Sequence, residues 1–310
     1  MWSTAAVTDD DLLALLHAAI DAVVEVFTGH DDWGLSGRRD GQYASDLAAD
    51  AAALQVLQAA GITVLSEESG GGAGEGPIAV LDPLDGSTNA SRPLPWFATS
   101  ICVIDNGSAR AAVVHDHASG VRWDAIAGGG ARIDGVLLPT REMVPLHESV
   151  VAINGLPTAN PGWSQFRCFG AAALDLCAVA DGRFDAFVDF DTDALGPWDY
   201  LGGMLICQEV GVRVEDAFGR PLVVGDHAAR RTPVAAIGSA FETLWSGSVS
   251  PVIEGIKNTA GNGAAWSAVK SALDPVLTWI GDKFSSLMKL IKPVIEALQW
   301  GIDNAKRAGT

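Results

Sequence analysis

Two carboxylates, Asp82 and Asp85, stand three positions apart at the end of a short apolar run, residues 78–81. We expect this run to form a buried strand, and Pro83 to keep the chain extended as it leaves the strand. Gly86 permits a tight turn directly after the second carboxylate. Hard divalent cations prefer oxygen ligands, and phosphate binds N–H groups at the start of a helix. The sequence therefore predicts one loop that holds a metal ion and a phosphate together.

The longer string around these carboxylates narrows the alternatives. An isolated Asp-Pro-x-Asp-Gly also suits an ordinary acidic surface turn, because Asp, Pro and Gly are common turn formers. Residues 81–89, Leu-Asp-Pro-Leu-Asp-Gly-Ser-Thr-Asn, are more restrictive. They resemble the signature of the inositol monophosphatase family of Mg-dependent, lithium-sensitive sugar phosphatases. The resemblance covers about residues 8–245 and implies an α/β fold, layered α-β-α-β, with a phosphomonoesterase site.

Two further acidic segments resemble the family in the expected order. Residues 66–69, Ser-Glu-Glu-Ser, are similar to its Gly-Glu-Glu-Ser, and residues 198–203 are similar to its Trp-Asp-x-Ala-Ala-Gly, which would place Asp199 at the metal. Adjacent side chains of an extended segment point in opposite directions, so we expect only one glutamate, Glu67, to bind metal. A solvated glutamate pair beside a glycine-rich loop is the alternative for the first segment.

Asp46 is the least specific of the candidate ligands. It lies six residues after Asp40, as in the family's Asp-x-Val-Thr-x-x-Asp, but Gln42 and Tyr43 replace the Val-Thr pair. The resemblance implies that Asp46 reaches the metal site. The alternative is an acid at the start of a helix, where the helix dipole favours negative charge.

The resemblance implies a complete site with two or three Mg²⁺ ions. The metal ligands would be Glu67, Asp82, Asp85, Asp199, Asp46 and the Leu84 carbonyl. The N–H groups of Gly86 and Ser87 would bind the phosphate, and the Ser87 hydroxyl would orient the attacking water beside Glu67. Asp85 would also be essential for catalysis. Paired ions of this kind activate water and stabilise the attacking and leaving oxygens, and inhibition by Li⁺ is expected on the same ground.

The substrate side of the site is predicted from two later segments. Residues 170–175, Gly-Ala-Ala-Ala-Leu-Asp, resemble the family's Gly-[Ser/Thr]-Ala-Ala-x-[Asp/Asn], so we expect Ala171 and Ala172 beside the substrate. Ala171 stands where the family has a hydroxyl residue, which removes one hydrogen bond to the substrate.

Three alternate acids follow the next predicted strand: Asp189, Asp191 and Asp193. They do not form a calcium-binding loop of the EF-hand type, which needs Gly at its sixth position and Glu at its twelfth. The resemblance implies that one of the three binds substrate hydroxyls, and the sequence leaves open which one does.

Charge and composition limit the classes of partner. The formal net charge of −18 argues against nucleic acid or an anionic membrane. It also means that a phosphate ester needs local cations, which bound metal would supply. The acidic body suits a second phosphate poorly, so we expect a small polyol or sugar monophosphate as substrate.

The cysteines and the N-terminal residues indicate the compartment. The four cysteines are scattered, which favours reduced thiols, and three aspartates precede the first apolar run, which is unlike a secretory signal. No apolar run is long enough to span a membrane. We therefore expect a reduced, cytoplasmic protein.

The C-terminal segment differs from the rest of the chain. Residues 1–250 contain no lysine, whereas residues 251–310 contain all six. We therefore predict an N-terminal half at 1–140 that carries most ligands, a second half at 141–245 that completes the site, and an appended segment at 246–310. Apolar residues at helical spacing predict two amphipathic helices, about 275–291 and 293–307, separated by a proline. Their pattern loosely resembles phage tape-measure segments, and we expect them to promote a homo-oligomer, most simply a dimer.

The sequence also contains a possible zinc-binding histidine pair, and it leaves two alternative functions open. His115 and His117 could share one strand face, but no cysteine or further histidine keeps zinc-ligand spacing, so we expect a structural role. The changes at Gln42, Tyr43 and Ala171 also suit a family member that binds metal or phosphate without turnover. A chain that serves as an assembly component through its C-terminal helices is the other alternative.

Overall fold

The computed structural model describes residues 8–39, 41–72, 74, 76–157 and 161–244 of the chain. Asp40 lies outside these residues, and so do the segment 246–310 and the two helices predicted within it. Those expectations stay predictions, as does the division of the body near residue 140.

The helices and strands alternate along the described chain. The helices are α1 (Asp9–Phe27), α2 (Ala44–Ala59), α3 (Ser87–Ser91), α4 (Ala172–Asp181), α5 (Pro197–Glu209) and α6 (Gly238–Leu244). The strands are β1 (Thr63–Ser66), β2 (Gly70–Gly71), β3 (Ile78–Asp85), β4 (Ala98–Asp105), β5 (Ser108–Asp116), β6 (Arg122–Ile126), β7 (Gly130–Ile133), β8 (Val136–Leu137), β9 (Val150–Asn154), β10 (Gln165–Arg167), β11 (Ala186–Asp189), β12 (Arg213–Asp216) and β13 (Pro233–Ala236). None of the described helices is both long and apolar enough to cross a membrane.

These elements form four layers. The first sheet has the order β2-β1-β3-β4-β5-β6-β7-β8, and the second has the order β10-β9-β11-β13-β12. Helices α1 and α2 pack on one face of the first sheet, and α4 and α5 contact both sheets. The layers run α-β-α-β, which confirms the fold expected from the family resemblance.

Strand β3 separates two apolar cores, because successive side chains of a strand point to opposite faces. Ala79 and Leu81 belong to the core beneath α1 and α2. Val80 belongs to the core that includes α4 and α5. By the same alternation, Asp82 follows Val80 onto the face covered by α5, the helix that carries Asp199.

Apolar residues at helical spacing predict a helix from Asp9 to Phe27, and an alanine-rich run predicts a second helix from Leu47 to Ala60. The structure confirms α1, whose first turn is capped by Thr8 Oγ1 accepting a hydrogen bond from Asp11 N at 3.1 Å. Helix α2 begins at Ala44, three residues before the predicted start at 47. The reason is a local hydrogen bond: the Asp46 carboxylate accepts from Tyr43 N at 3.0 Å and so closes the first turn earlier.

Candidate metal centre

Three carboxylates from distant parts of the chain converge at one point. Asp82 and Asp85 lie at the end of β3, and Asp199 lies in the first turn of α5. One oxygen atom from each side chain lies within 4.8 Å of the others. The structure therefore brings together three of the residues expected to bind metal.

Glu67 follows directly after β1, the strand next to β3. Strands β1 and β3 run parallel with Ser66 opposite Leu81, so both strands end at the same edge of the sheet. Glu67 N donates to the Leu81 carbonyl at 3.1 Å, which continues this register by one residue. Burial, together with repulsion from Asp199, raises the pKa of Glu67 to about 8. Glu67 is not one of the three residues whose oxygens lie within 4.8 Å of one another, so its role as a metal ligand stays a prediction.

Helix N-termini hold two of the aspartates in place. Asp85 Oδ2 accepts a hydrogen bond from Ala173 N in the first turn of α4 at 2.7 Å. Asp199 Oδ2 accepts from Gly196 N, the residue that precedes α5, at 2.6 Å. Both interactions favour negative charge at a helix start, so the two helices between the sheets present carboxylates to one point.

The electrostatics of the cluster are unfavourable without a cation. Burial and repulsion from Glu67 and Asp85 raise the pKa of Asp82 well above its ordinary value. Burial also raises the pKa of Asp85 well above its ordinary value, and burial with repulsion from Asp85 raises that of Asp199 to about 8. Like charges this close are stabilised either by protonation or by a bound cation.

The hydrogen bonding of these carboxylates shows whether a metal ion would fit. Asp82 Oδ1 accepts from Leu84 N at 3.0 Å, but its Oδ2 is buried and has no hydrogen-bond partner among the described residues. Asp46 Oδ1 is also buried and has no hydrogen-bond partner among the described residues. Buried oxygens left unpaired are costly, and hard cations such as Mg²⁺ are bound by carboxylate and carbonyl oxygens. The residues present therefore fit a divalent cation.

Asp46 borders the cluster from α2. One of its oxygens is used by Tyr43 N, as described above, while the other is the unpaired Oδ1. Burial raises the pKa of Asp46 to about 6. Asp46 is thus the acid at a helix start that was the alternative to a metal ligand. It also has one oxygen available to a metal ion.

In the turn after Asp85, the Ser87 hydroxyl binds a carbonyl and does not cap helix α3. Gly86, with φ of 86°, precedes α3 and provides no side-chain cap. The Ser87 hydroxyl instead donates to the Leu84 carbonyl at 2.8 Å, and this fixes its oxygen with the lone pairs directed away from the carbonyl. A side chain at position 86 would come within 2.9 Å of the Trp96 carbonyl, so the turn requires glycine.

Glu68 belongs to a polar cluster with Arg39 and Gln42. Its Oε2 accepts hydrogen bonds from Arg39 Nη2 at 2.8 Å and from Gln42 Nε2. Gln42, one of the residues that depart from the family pattern, therefore binds the second glutamate and does not contact the three aspartates. The two adjacent glutamates have different hydrogen-bond partners, although residues 67–69 form a turn and not the extended segment assumed from the sequence.

Sequence reasoning missed one wall of the site, residues 225–231 between β12 and β13. His227 Nε2 donates to the Glu67 carbonyl at 3.1 Å, and its ring lies 4.8 Å from that of Trp198. The Arg230 guanidinium lies 5.0 Å from the centre of the same indole. The segment carries no recognisable motif, and only the aromatic and basic residue types could have marked it.

A cavity of about 320 Å³ lies among the groups around the three aspartates, which are not themselves among its lining residues. It is lined by Arg39, Gly41, Gln42, Asp46, Glu67, Glu68, Ser87, Trp198, His227 and Arg230. The cavity combines carboxylates with two guanidinium groups, so it can accept a ligand that carries both a metal and an anion.

The three alternate acids after β11 have unequal environments. Asp189 is buried, and its Oδ1 accepts from Asn154 Nδ2 at 3.0 Å and from Asp191 N at 2.9 Å. Its Oδ2 is buried with no partner in the described chain, and burial raises its pKa to about 7. Asp191 is exposed, and Asp193 is paired with Arg220 Nη2 at 2.6 Å. Asp189 is thus the one of the three whose buried oxygen lacks a partner.

Ala171 and Ala172 lie at the start of α4, next to the phosphate-binding turn expected from the sequence. Ala171 is the residue that precedes the helix, and its Cβ lies 3.2 Å from the position that a Cβ on Gly86 would occupy. Both alanines are buried. Their small side chains allow α4 to approach the turn closely enough for its N-terminus to bind Asp85.

This geometry can be compared with known proteins. The family model described as "Inositol monophosphatase family" matches residues 14–244. The chain belongs to the inositol monophosphatase family.

Curated relatives of this chain carry several names. The fructose-1,6-bisphosphatase/inositol-1-monophosphatase of Archaeoglobus fulgidus is 34% identical over 184 residues, which cover 58% of this chain and 71% of that protein. The inositol-1-monophosphatase of Bacillus subtilis is 33% identical over 161 residues, 47% of this chain and 59% of the relative. The Nus factor SuhB of Escherichia coli is 35% identical over 174 residues, 51% of this chain and 64% of the relative. In the last two cases the match spans less than two thirds of the relative.

Solved structures share the fold. The inositol monophosphatase from Anabaena has a TM-score of 0.65 at 25% identity, covering 77% of this chain and 95% of that one. The inositol monophosphate-bound SaIMPase-II has a TM-score of 0.68 at 23% identity, covering 80% and 97%. The family supports a phosphatase that binds phosphate esters, which is the coarse form of the function expected from the sequence.

Proposed function

We propose that this member of the family is a Mg²⁺-dependent phosphomonoesterase that hydrolyses a small polyol or sugar monophosphate. The observation that carries the proposal is the convergence of Asp82, Asp85 and Asp199, with a buried Asp82 oxygen that has no partner among the described residues. Such a donor set is complete only with a cation.

The groups that would hold Mg²⁺ are the three aspartates, Glu67 and the Leu84 carbonyl, with Asp46 at the edge. When bound, Mg²⁺ supplies Lewis-acid stabilisation of the charge that develops on the phosphoryl group. The cluster carries several negative charges, so this stabilisation also allows an anionic substrate to approach an acidic protein.

The protein's own groups would position the phosphate and the attacking water. The turn at Gly86 and Ser87 directs backbone N–H groups to the phosphate. The Ser87 proton is committed to the Leu84 carbonyl, so its oxygen accepts a hydrogen bond from water and orients it. Glu67, one strand away, accepts the proton that the water loses. No covalent intermediate is needed, since the nucleophile is water.

Substrate hydroxyls would be bound by one of the three acids after β11. Asp189 has one buried oxygen without a partner in the described chain, and it is the acid best placed among the three to accept a hydroxyl proton. The small side chains of Ala171 and Ala172 keep the α4 N-terminus close to the turn that would bind the phosphate. A carboxylate oxygen that is free to accept a hydrogen bond suits a substrate with additional hydroxyls, which favours a polyol.

The test is phosphate release from a panel of phosphomonoesters by chelator-treated protein, with and without added Mg²⁺. The panel contains inositol 1-phosphate, fructose 1,6-bisphosphate, a 3′-phosphonucleotide and histidinol phosphate. We expect Mg²⁺-dependent release that is fastest with inositol phosphate and is inhibited by Li⁺. Absence of release with every member would favour a family member that binds metal without turnover.

A further inference from the structure

The metal-binding loop contains an irregularity in the sheet. Strand β3 pairs with β4 so that Asp82 lies opposite Ser100 and Asp85 lies opposite Ala98, and the register shifts between these pairs. Two residues of β3, Pro83 and Leu84, therefore oppose the single residue Thr99. Such a bulge removes groups from the hydrogen-bond ladder and re-aims the neighbouring side chains.

The backbone oxygen of Pro83 finds a substitute partner at this bulge. The Thr99 hydroxyl donates to the Pro83 carbonyl at 2.8 Å, in a buried position. The bond holds the peptide between Pro83 and Leu84, which lies between the two aspartates. Its effect is to restrict the one segment whose conformation sets the separation of Asp82 and Asp85.

The Thr99 hydroxyl is itself held by a histidine. His117 Nε2 lies 2.8 Å from Thr99 Oγ1. A hydroxyl has one proton, and Thr99 gives its proton to Pro83, so His117 must donate through an Nε2–H group. The hydrogen-bond chain therefore runs in one direction, from His117 through Thr99 to the Pro83 carbonyl.

The histidine is fixed by packing as well as by this bond. Its ring lies 4.8 Å from that of Phe27 and 4.8 Å from that of His115, and it stacks on Phe97 at 6.1 Å. His117 N also donates to the Phe97 carbonyl at 3.1 Å. A ring held from several sides keeps its N–H aimed at one acceptor.

We propose that Thr99 and His117 are positioning residues of the metal centre, which fix the bulge at Pro83 and thereby hold Asp82 and Asp85 at the spacing that binds a divalent cation. The inference rests on the proposed metal-dependent function and adds two residues from outside the carboxylate cluster. It also gives His117 a structural role, as a hydrogen-bond donor to Thr99, in place of the zinc ligation considered from the sequence. Groups that orient metal ligands typically contribute 10–100-fold to metal affinity.

The test is isothermal titration calorimetry of Mg²⁺ alone into the chelator-treated full-length chain. Thr99→Val removes the hydroxyl with little change of shape, and we expect its Kd for Mg²⁺ to rise about tenfold. Thr99→Ser keeps the hydroxyl and should restore a Kd close to that of the wild type. Thr63→Val, a threonine in β1 remote from the bulge, is the matched control and should leave the Kd unchanged.

A second variant guards against loss of folding. His117→Phe keeps an aromatic ring in the cluster but removes the donor, and it should weaken Mg²⁺ binding in the same direction. An unchanged Kd in folded Thr99→Val, or in His117→Phe if the valine variant does not fold, would overturn the inference and leave the proposed function standing. Equal weakening in Thr99→Ser and Thr99→Val would also overturn it, because packing would then be responsible. A wild-type chain that binds no Mg²⁺ would overturn both proposals.

Discussion

Asp82 and Asp216 are both buried aspartates, but the atoms around them differ. Asp216 accepts hydrogen bonds from the N–H groups of Phe218, Arg220 and Thr232 and from the Arg220 guanidinium. Although burial would raise its pKa, the hydrogen bonds from Arg220 and Thr232 hold it below the ordinary value. Asp82 has Leu84 N as its donor, and its charged neighbours include other carboxylates, so its pKa is raised.

The difference separates two uses of a buried carboxylate. Around Asp216 the protein supplies a cation, the Arg220 guanidinium, and several N–H donors. The carboxylate therefore stabilises the region between β12 and β13. Around Asp82 several acids crowd together, and buried oxygens lack partners within the described residues. The first arrangement is complete as it stands, whereas the second is completed by a ligand.

The largest effect is expected at the metal centre. Asp85→Asn should lower the turnover number more than about 100-fold, because groups that merely orient ligands already contribute 10–100-fold. Its fold should persist, since the amide oxygen still accepts from Ala173 N. Phosphate release at saturating Mg²⁺, with circular dichroism alongside, measures both parts.

Asp31→Asn serves as the control for that experiment, because Asp31 is exposed and should leave turnover unchanged. Normal turnover in folded Asp85→Asn would remove Asp85 from the catalytic centre.

At Asp216 the expected effect is on stability. Asp216→Asn leaves Arg220 without its buried partner and loses several charge-assisted hydrogen bonds, so the free energy of unfolding should fall by about 2 kcal/mol. Urea unfolding in the presence of a chelator measures this. An unchanged midpoint would show that the network around Asp216 is not a stabilising one and would weaken the contrast drawn above.

A smaller effect concerns pH and a third buried acid, Asp175. Its Oδ1 accepts from Trp96 Nε1 at 3.0 Å, and burial raises its pKa to about 8. The native state therefore holds this proton longer than the unfolded chain, so its contribution to stability is lost as pH rises from about 4 to 8. Asp175→Asn keeps the acceptor and should reduce this decline in unfolding free energy by at least about 1 kcal/mol.

Urea unfolding at pH 5 and pH 8.5, in chelator, measures the Asp175 effect. The pH dependence of stability at Asp216 has the opposite sign. Its pKa is lowered in the folded chain, so its contribution to the unfolding free energy is present above the ordinary pKa of an aspartate and is lost in acid. If wild type and Asp175→Asn declined in parallel, Asp175 would be ionised in the native state.

Local signals explain what could be predicted from the sequence. Helix α1 follows from its cap and its apolar spacing, and the convergence of Asp82 with Asp199 follows from motif order and family resemblance. Each of these depends on residues close together in the chain or on a known motif. The preference for Glu67 over Glu68 rested on an extended segment, but residues 67–69 form a turn, so that preference stays a prediction.

Long-range contacts explain what could not be predicted. The bond from Thr99 to Pro83 depends on a register shift between β3 and β4, which no residue pattern marks. The bond from His227 to the Glu67 carbonyl joins residues 160 positions apart. The hydroxyl of Ser87 could cap a helix or bind a carbonyl, and only the backbone geometry around Gly86 decides between them.

The most direct test of the contrast is thermal unfolding of the chelator-treated full-length chain as Mg²⁺ is added. The wild type should gain stability saturably, by about 1.4 kcal/mol when Mg²⁺ is tenfold above its Kd. Asp216→Asn should start lower and gain as much, whereas Asp82→Asn should gain almost nothing. No gain in the wild type, or an equal gain in Asp82→Asn, would contradict the assignment of the Asp82 cluster as a metal centre.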